Sequence, residues 1–62
     1  MSDLYSRYKQ ILDNENKKII SSEVIEDGFL VLDVIDTYLN QYKYFVCEED
    51  GVIGAMVYKK CL

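Results

Sequence analysis

Histidine is absent from this chain of 62 residues, and only two cysteines and three glycines occur in it. Without histidine, Ser-His-Asp and Cys-His nucleophile systems cannot be assembled, and nothing nearby would activate Cys47 or Cys61. Two thiols and no imidazole also fall short of the four ligands of a structural zinc site, so no metal and no cofactor is expected. The glycines stand singly at 28, 51 and 54, which leaves no glycine-rich phosphate loop. No apolar run is long enough to span a membrane, and the start Met1-Ser2-Asp3-Leu4-Tyr5-Ser6-Arg7 is not basic-then-apolar like a secretory signal. The expected compartment is therefore cytoplasmic, where both thiols stay reduced.

Positive charge is also scarce. Seven Lys and Arg face eleven Asp and Glu, a net charge of −4. Residues 23 to 50 hold Glu23, Glu26, Asp27, Asp33, Asp36, Glu48, Glu49 and Asp50 against Lys43 alone. Direct binding to nucleic acid needs clustered Lys and Arg, so a basic protein is the expected partner.

Apolar residues make up 50% of the chain, and six tyrosines with two phenylalanines are too many for a disordered one. One domain spanning 1–62 is expected. A domain of this size buries only about 60% of the surface its unfolded chain exposes, so its stability is marginal. With disulfides and metals excluded, self-association is the expected means of enlarging the core.

Ser2 suits an N-cap, and Leu4, Tyr8, Ile11 and Leu12 recur at helical spacing, predicting an amphipathic helix over 3 to about 14 that ends at Asn14-Glu15-Asn16. Beyond it the sequence turns β-branched and aromatic. Val24-Ile25-Glu26-Asp27-Gly28-Phe29-Leu30-Val31 is echoed by Cys47-Glu48-Glu49-Asp50-Gly51-Val52-Ile53-Gly54, each copy centred on Glu-Asp-Gly. Such a composition suits a three-residue hairpin loop with glycine at positive φ. Two hairpins follow, with Ile25 opposite Phe29, Val24 opposite Leu30, Ser22 opposite Leu32, Ile20 opposite Val34 and Lys18 opposite Asp36. In the second, Glu48 faces Val52, Cys47 Ile53, Phe45 Ala55, Tyr44 Met56 and Tyr42 Tyr58. This register sets Cys47 and Cys61 about 30 Å apart.

The expected fold is α+β: an N-terminal helix followed by a four-stranded antiparallel meander, with strands near 18–25, 29–36, 42–48 and 52–60. A second helix over 29–42 competes, since Asp33, Asp36, Thr37 and Asn40 would form one polar stripe. The β-rich composition of Phe29 to Ile35 and the repeated turn signal favour strands.

Tyr44-Phe45-Val46-Cys47-Glu48-Glu49-Asp50-Gly51-Val52-Ile53-Gly54-Ala55-Met56-Val57 resembles the central hairpin of the GNAT family of N-acetyltransferases, a strand, an acidic-Gly turn and a strand containing Ile-Gly. The family's Gln/Arg-x-x-Gly-x-Gly/Ala pyrophosphate loop has no counterpart here, so the resemblance carries no expectation of acetyl transfer. Asp33 with Asp36, or Glu48-Glu49-Asp50, lack the ligand spacing of a calcium loop.

These absences leave binding rather than catalysis. Phe29, Val31 and Ile35 form the second apolar face of a strand whose other face a single helix covers, and they are the expected dimer interface. Tyr42, Tyr44, Met56 and Tyr58, expected on one face of the second hairpin, and the acidic Glu48, Glu49 and Asp50 are the expected partner-binding residues. The expected function is a small acidic protein-binding protein, a homodimeric inhibitor or modulator of another protein. Its size and charge suit an inhibitor of a nucleic-acid-acting or defence enzyme of the kind phages make. The alternative is an accessory subunit that completes a partner's sheet.

Overall fold

The computed structural model describes residues 4–26 and 28–60. Helix α1 (Leu4–Asn14) precedes strands β1 (Lys18–Glu26), β2 (Phe29–Ile35), β3 (Gln41–Glu49) and β4 (Val52–Lys59). The strands form one antiparallel sheet in the order β1-β2-β3-β4, so the α+β meander is the fold. The competing helix over 29–42 does not form. Its first half is β2, where Leu30, Leu32 and Val34 alternate into the core.

Leu4 and Leu12 of α1 are buried and Tyr8 is half-buried, whereas Ile11, one position off that stripe, stays exposed. The helix stops where the sequence predicts, through a Schellman motif. Asn16 takes a φ of 61°. Its N–H donates to the Asp13 carbonyl at 3.1 Å, and the Lys17 N–H donates to the Leu12 carbonyl at 3.0 Å. Asparagine tolerates this left-handed position better than most residues, and the chain reverses directly into β1. The N-cap expected at Ser2 lies outside the described residues.

One face of the sheet packs on α1. The core consists of Leu4 and Leu12 from the helix with Leu30, Leu32, Val34, Tyr44 and Val46 from the two central strands, flanked by Tyr8, Ile19, Tyr42 and Ile53. Burying such side chains is the main favourable term in a domain this small. Tyr8 meets Tyr44 edge-on at 5.8 Å between ring centroids, and Tyr44 meets Tyr42 at 6.5 Å.

The first hairpin keeps the expected pairs Val24 with Leu30 and Ser22 with Leu32 but departs from the rest. Glu26 pairs with Phe29, Ile19 with Val34 and Lys18 with Ile35, because β1 bulges between Ile19 and Ser21 and again between Val24 and Glu26. Each bulge inserts one extra residue, Ile20 and Ile25, and the first turns Ile19 rather than Ile20 towards the core.

The second hairpin is shifted by one residue from the expected register. Glu49 pairs with Val52, Cys47 with Gly54, Phe45 with Met56, Tyr44 with Val57 and Lys43 with Tyr58. The cause is the turn. Asp50 and Gly51 both have positive φ, 53° and 79°, the signature of a two-residue type I′ loop, whose twist matches that of the strands it joins. A three-residue loop would have paired Glu48 with Val52. Because side chains alternate with period two, the one-residue difference moves every β4 side chain to the opposite face from its expected neighbours.

Candidate functional site

The face of the sheet opposite α1 is covered by no other described element. Its residues run in ladder rows set by the register. Glu49 and Val52 lie nearest the second turn, and next Glu26, Phe29, Cys47 and Gly54 lie level; the following row is Glu23, Val31, Phe45 and Met56. Below these come Ser21, Asp33, Lys43 and Tyr58, then Lys18, Ile35 and Gln41. Phe29, Val31 and Ile35, expected here, do share this open face.

Its upper half is apolar and concave. Ile25, Phe29, Phe45, Cys47, Gly54 and Met56 line a depression of about 230 Å³. The β1 bulge presents Ile25, and the absent side chain of Gly54 leaves the opposite wall low. Phe45 stacks edge-on with Tyr58 at 5.6 Å, which holds both rings in place although they are 38% and 52% exposed. Glu23 and Glu26 border this surface on the β1 side, and Glu49 and Asp50 stand at its turn end.

The lower half is polar. Asp33 accepts a hydrogen bond from the Ser21 hydroxyl at 2.7 Å, and its other oxygen lies 3.1 Å from the Lys60 ammonium. The Ser21 hydroxyl first, and Lys60 second, hold the Asp33 carboxyl below its ordinary value. Lys18 and Lys43 share this half, so the open face is acidic at its turn end and basic at its far end.

The four residues expected to form one tyrosine and methionine patch are divided by the register. Met56 and Tyr58 lie on the open face, while Tyr42 and Tyr44 point towards α1. Tyr44 is only 4% exposed and belongs to the core. The half-buried Tyr42 donates its hydroxyl proton to Asp36 Oδ2 at 2.9 Å, and the Lys17 ammonium sits 5.7 Å from its ring centroid. The acidic trio divides as well. Glu48 faces the helix side and is paired with Arg7, Glu49 is on the open face, and Asp50 is in the turn.

Sequence reasoning missed Phe45 and Ile25 as binding-face residues, and it missed the loop after β2. There Asp36 organises the chain: its Oδ1 accepts from the Tyr38 N–H at 2.8 Å and the Asn40 N–H at 2.9 Å, and its Oδ2 from the Asn40 amide at 3.3 Å. Partial burial opposes the charged form, but these bonds and that from Tyr42 outweigh it and lower the carboxyl below its ordinary value. The braced loop displays Tyr38 and Leu39 to solvent, Leu39 with a φ of 69°. The Asx-turn former Asp36 with Asn40 four positions on was the available signal, while Leu39, which takes the left-handed conformation, gave none.

Among the described residues, no three His, Cys, Asp or Glu side chains converge as metal ligands, and no helix is long and apolar enough to cross a membrane. Cys47 is an unbridged thiol on the open face, and the expectation for Cys61 lies outside the described residues. The fold and its open face define a small helix-on-meander domain with one uncovered, partly apolar sheet surface. The chain matches no protein-family model, no curated protein and no solved structure.

Proposed function

We propose that this is a non-catalytic protein-binding domain whose open sheet face takes a segment of another protein carrying an apolar side chain flanked by lysine or arginine. The apolar depression beside Phe45, bordered by Glu23, Glu26, Glu49 and Asp50, carries this reading. Desolvated aromatic and aliphatic anchors supply lasting affinity, and the acidic border speeds encounter with a basic partner. A surface that mixes basic and apolar groups is also what a nucleic-acid-binding groove offers. Occupying such a groove would make this domain a competitor of nucleic acid and hence an inhibitor.

Synthetic peptides holding Leu or Phe between Lys and Arg residues serve as probes, with amide shifts of the isotopically labelled domain as the readout. Shifts should gather at Ile25, Phe29, Phe45, Cys47 and Met56, and Phe45→Lys should abolish them. Charge reversal of Glu23, Glu26 and Glu49 should slow association and flatten its dependence on salt. Equal response to peptides flanked by Asp and Glu, or shifts confined to the α1 side, would refute the reading.

A further inference from the structure

The two edges of the sheet differ. β1 is interrupted by two bulges and carries Lys18, Glu23 and Glu26. β4 pairs with β3 without interruption and bears no charged residue from Val52 to Tyr58. A long, regular, uncharged edge invites another strand, whereas bulges and charges deter one.

The phase of the β3–β4 ladder shows which β4 groups are free for this. The Lys60 N–H donates to the Gln41 carbonyl at 2.8 Å. Antiparallel pairs alternate between bonded and non-bonded, so Tyr58, Met56, Gly54 and Val52 also turn their backbone groups inward to β3. The N–H and C=O groups of Ile53, Ala55, Val57 and Lys59 therefore point outward from the edge.

Gly54 supplies an independent observation. Its φ is not positive, and a Cβ built on it would meet nothing within 4 Å. Neither conformation nor packing within the chain calls for glycine there, although glycine inside a strand is destabilising. A strand-interior glycine of this kind marks a place where another backbone or side chain approaches closely.

We propose that β4 is a self-association edge: two copies join β4 to β4, antiparallel, about a two-fold axis at Ala55, merging two four-stranded sheets into one. The occupant is a second copy because the strand is complementary to itself in this register. Ile53 falls opposite Val57 of the second copy, Val52 opposite Tyr58, and the exposed Met56 opposite Gly54, where the missing side chain leaves it room. At the ends, Lys59 and Lys60 come level with Gly51 and Asp50 of the second copy, so opposite charges meet. The outward groups of Ile53, Ala55 and Val57 then form about six backbone hydrogen bonds. The dimer leaves Phe29 and Phe45 uncovered and sets the second copy's Met56 at the rim of the depression beside Gly54. Because dimerisation is read at the Ile53, Ala55 and Val57 amides and peptide binding at Ile25, Phe29 and Phe45, the two proposals fail separately.

Sedimentation equilibrium from micromolar to millimolar protein, paired with amide hydrogen exchange, tests it. A shift from monomer to dimer is expected, with the Ile53, Ala55 and Val57 amides protected only in the dimer. Ala55→Pro removes an N–H that β3 does not use, and Ala55→Lys sets like charges across the axis. Each should keep the circular dichroism of the parent and weaken dimerisation at least about tenfold. Three outcomes would overturn the proposal: a monomer at all concentrations, a dimer whose three amides exchange as in the monomer, or a folded Ala55→Lys variant that dimerises unchanged. Protection of these amides by added foreign peptide alone would overturn the second copy as occupant.

Discussion

Asp36 shows how much one side chain can do in a chain that lacks proline. Its carboxylate fixes the loop after β2, holds Leu39 in the left-handed region and takes the hydroxyl of Tyr42, which flanks the core. Its folded pKa lies below the ordinary carboxylate value, as does that of Asp33. A lowered carboxyl contributes stability that is fully present above the unfolded value, near pH 4, and is lost as pH falls through the folded values. The same bond to Asp36, and burial, raise Tyr42 above the ordinary phenol value. That contribution is present below about pH 10 and is lost as pH rises through the folded value. Thermal melts followed by circular dichroism should therefore fall off on both limbs. Asp36→Asn should melt several degrees lower at pH 7, with the gap to the parent narrowing in acid. An unchanged gap down to pH 2 would show that Asp36 contributes no charge-dependent stability.

At the scale of elements, the two Glu-Asp-Gly turns look alike in sequence and differ in what they do to register. In the first, an extra residue is absorbed as a bulge at Ile25, and the expected pairs Val24 with Leu30 and Ser22 with Leu32 persist. In the second, Glu49 pairs with Val52 across the same spacing as Glu26 with Phe29, but no bulge follows in β3 and the β4 register shifts. The same three letters span both turns with equal spacing, and the presence or absence of a bulge in the preceding strand sets the register beyond them. Tyr44 must face α1 to fill the core beside Tyr8, and that fixes which β3 residues remain for the open face. Strand and helix boundaries, the two-sided character of β2 and the stop after Asn14, with Asn16 reversing the chain, follow from local chemistry and were legible. The binding-face membership of Phe45 and the burial of Tyr44 depend on a single residue of register and were not. Gly51→Ala tests the turn, because an L side chain at a φ of 79° is strained. It should cost about 1 kcal/mol in urea unfolding. Gly54→Ala in dilute protein should instead be neutral or slightly stabilising, since Gly54 lacks the positive φ of Gly51. Equal losses at both positions would contradict the turn geometry.

For the whole molecule, the core rests on few side chains. Leu12, Leu32, Val34 and Val46 are the largest that are fully buried, and Leu12 anchors the helix to the sheet. Leu12→Ala should cost about 2–5 kcal/mol, comparable to what a single core of this size supplies, so the variant should be largely unfolded by far-ultraviolet circular dichroism at room temperature. A variant that melts like the parent would mean that α1 contributes little to the fold. The asymmetry of the two sheet edges bears on colloidal behaviour. A domain with two smooth edges could add copies at both and grow into a fibre. In the dimer proposed above, the bulges of β1 would end growth after one addition. A two-fold union through β4 would leave only irregular, charged strands at both ends of the enlarged sheet, so an unprotected edge would give an assembly of finite size.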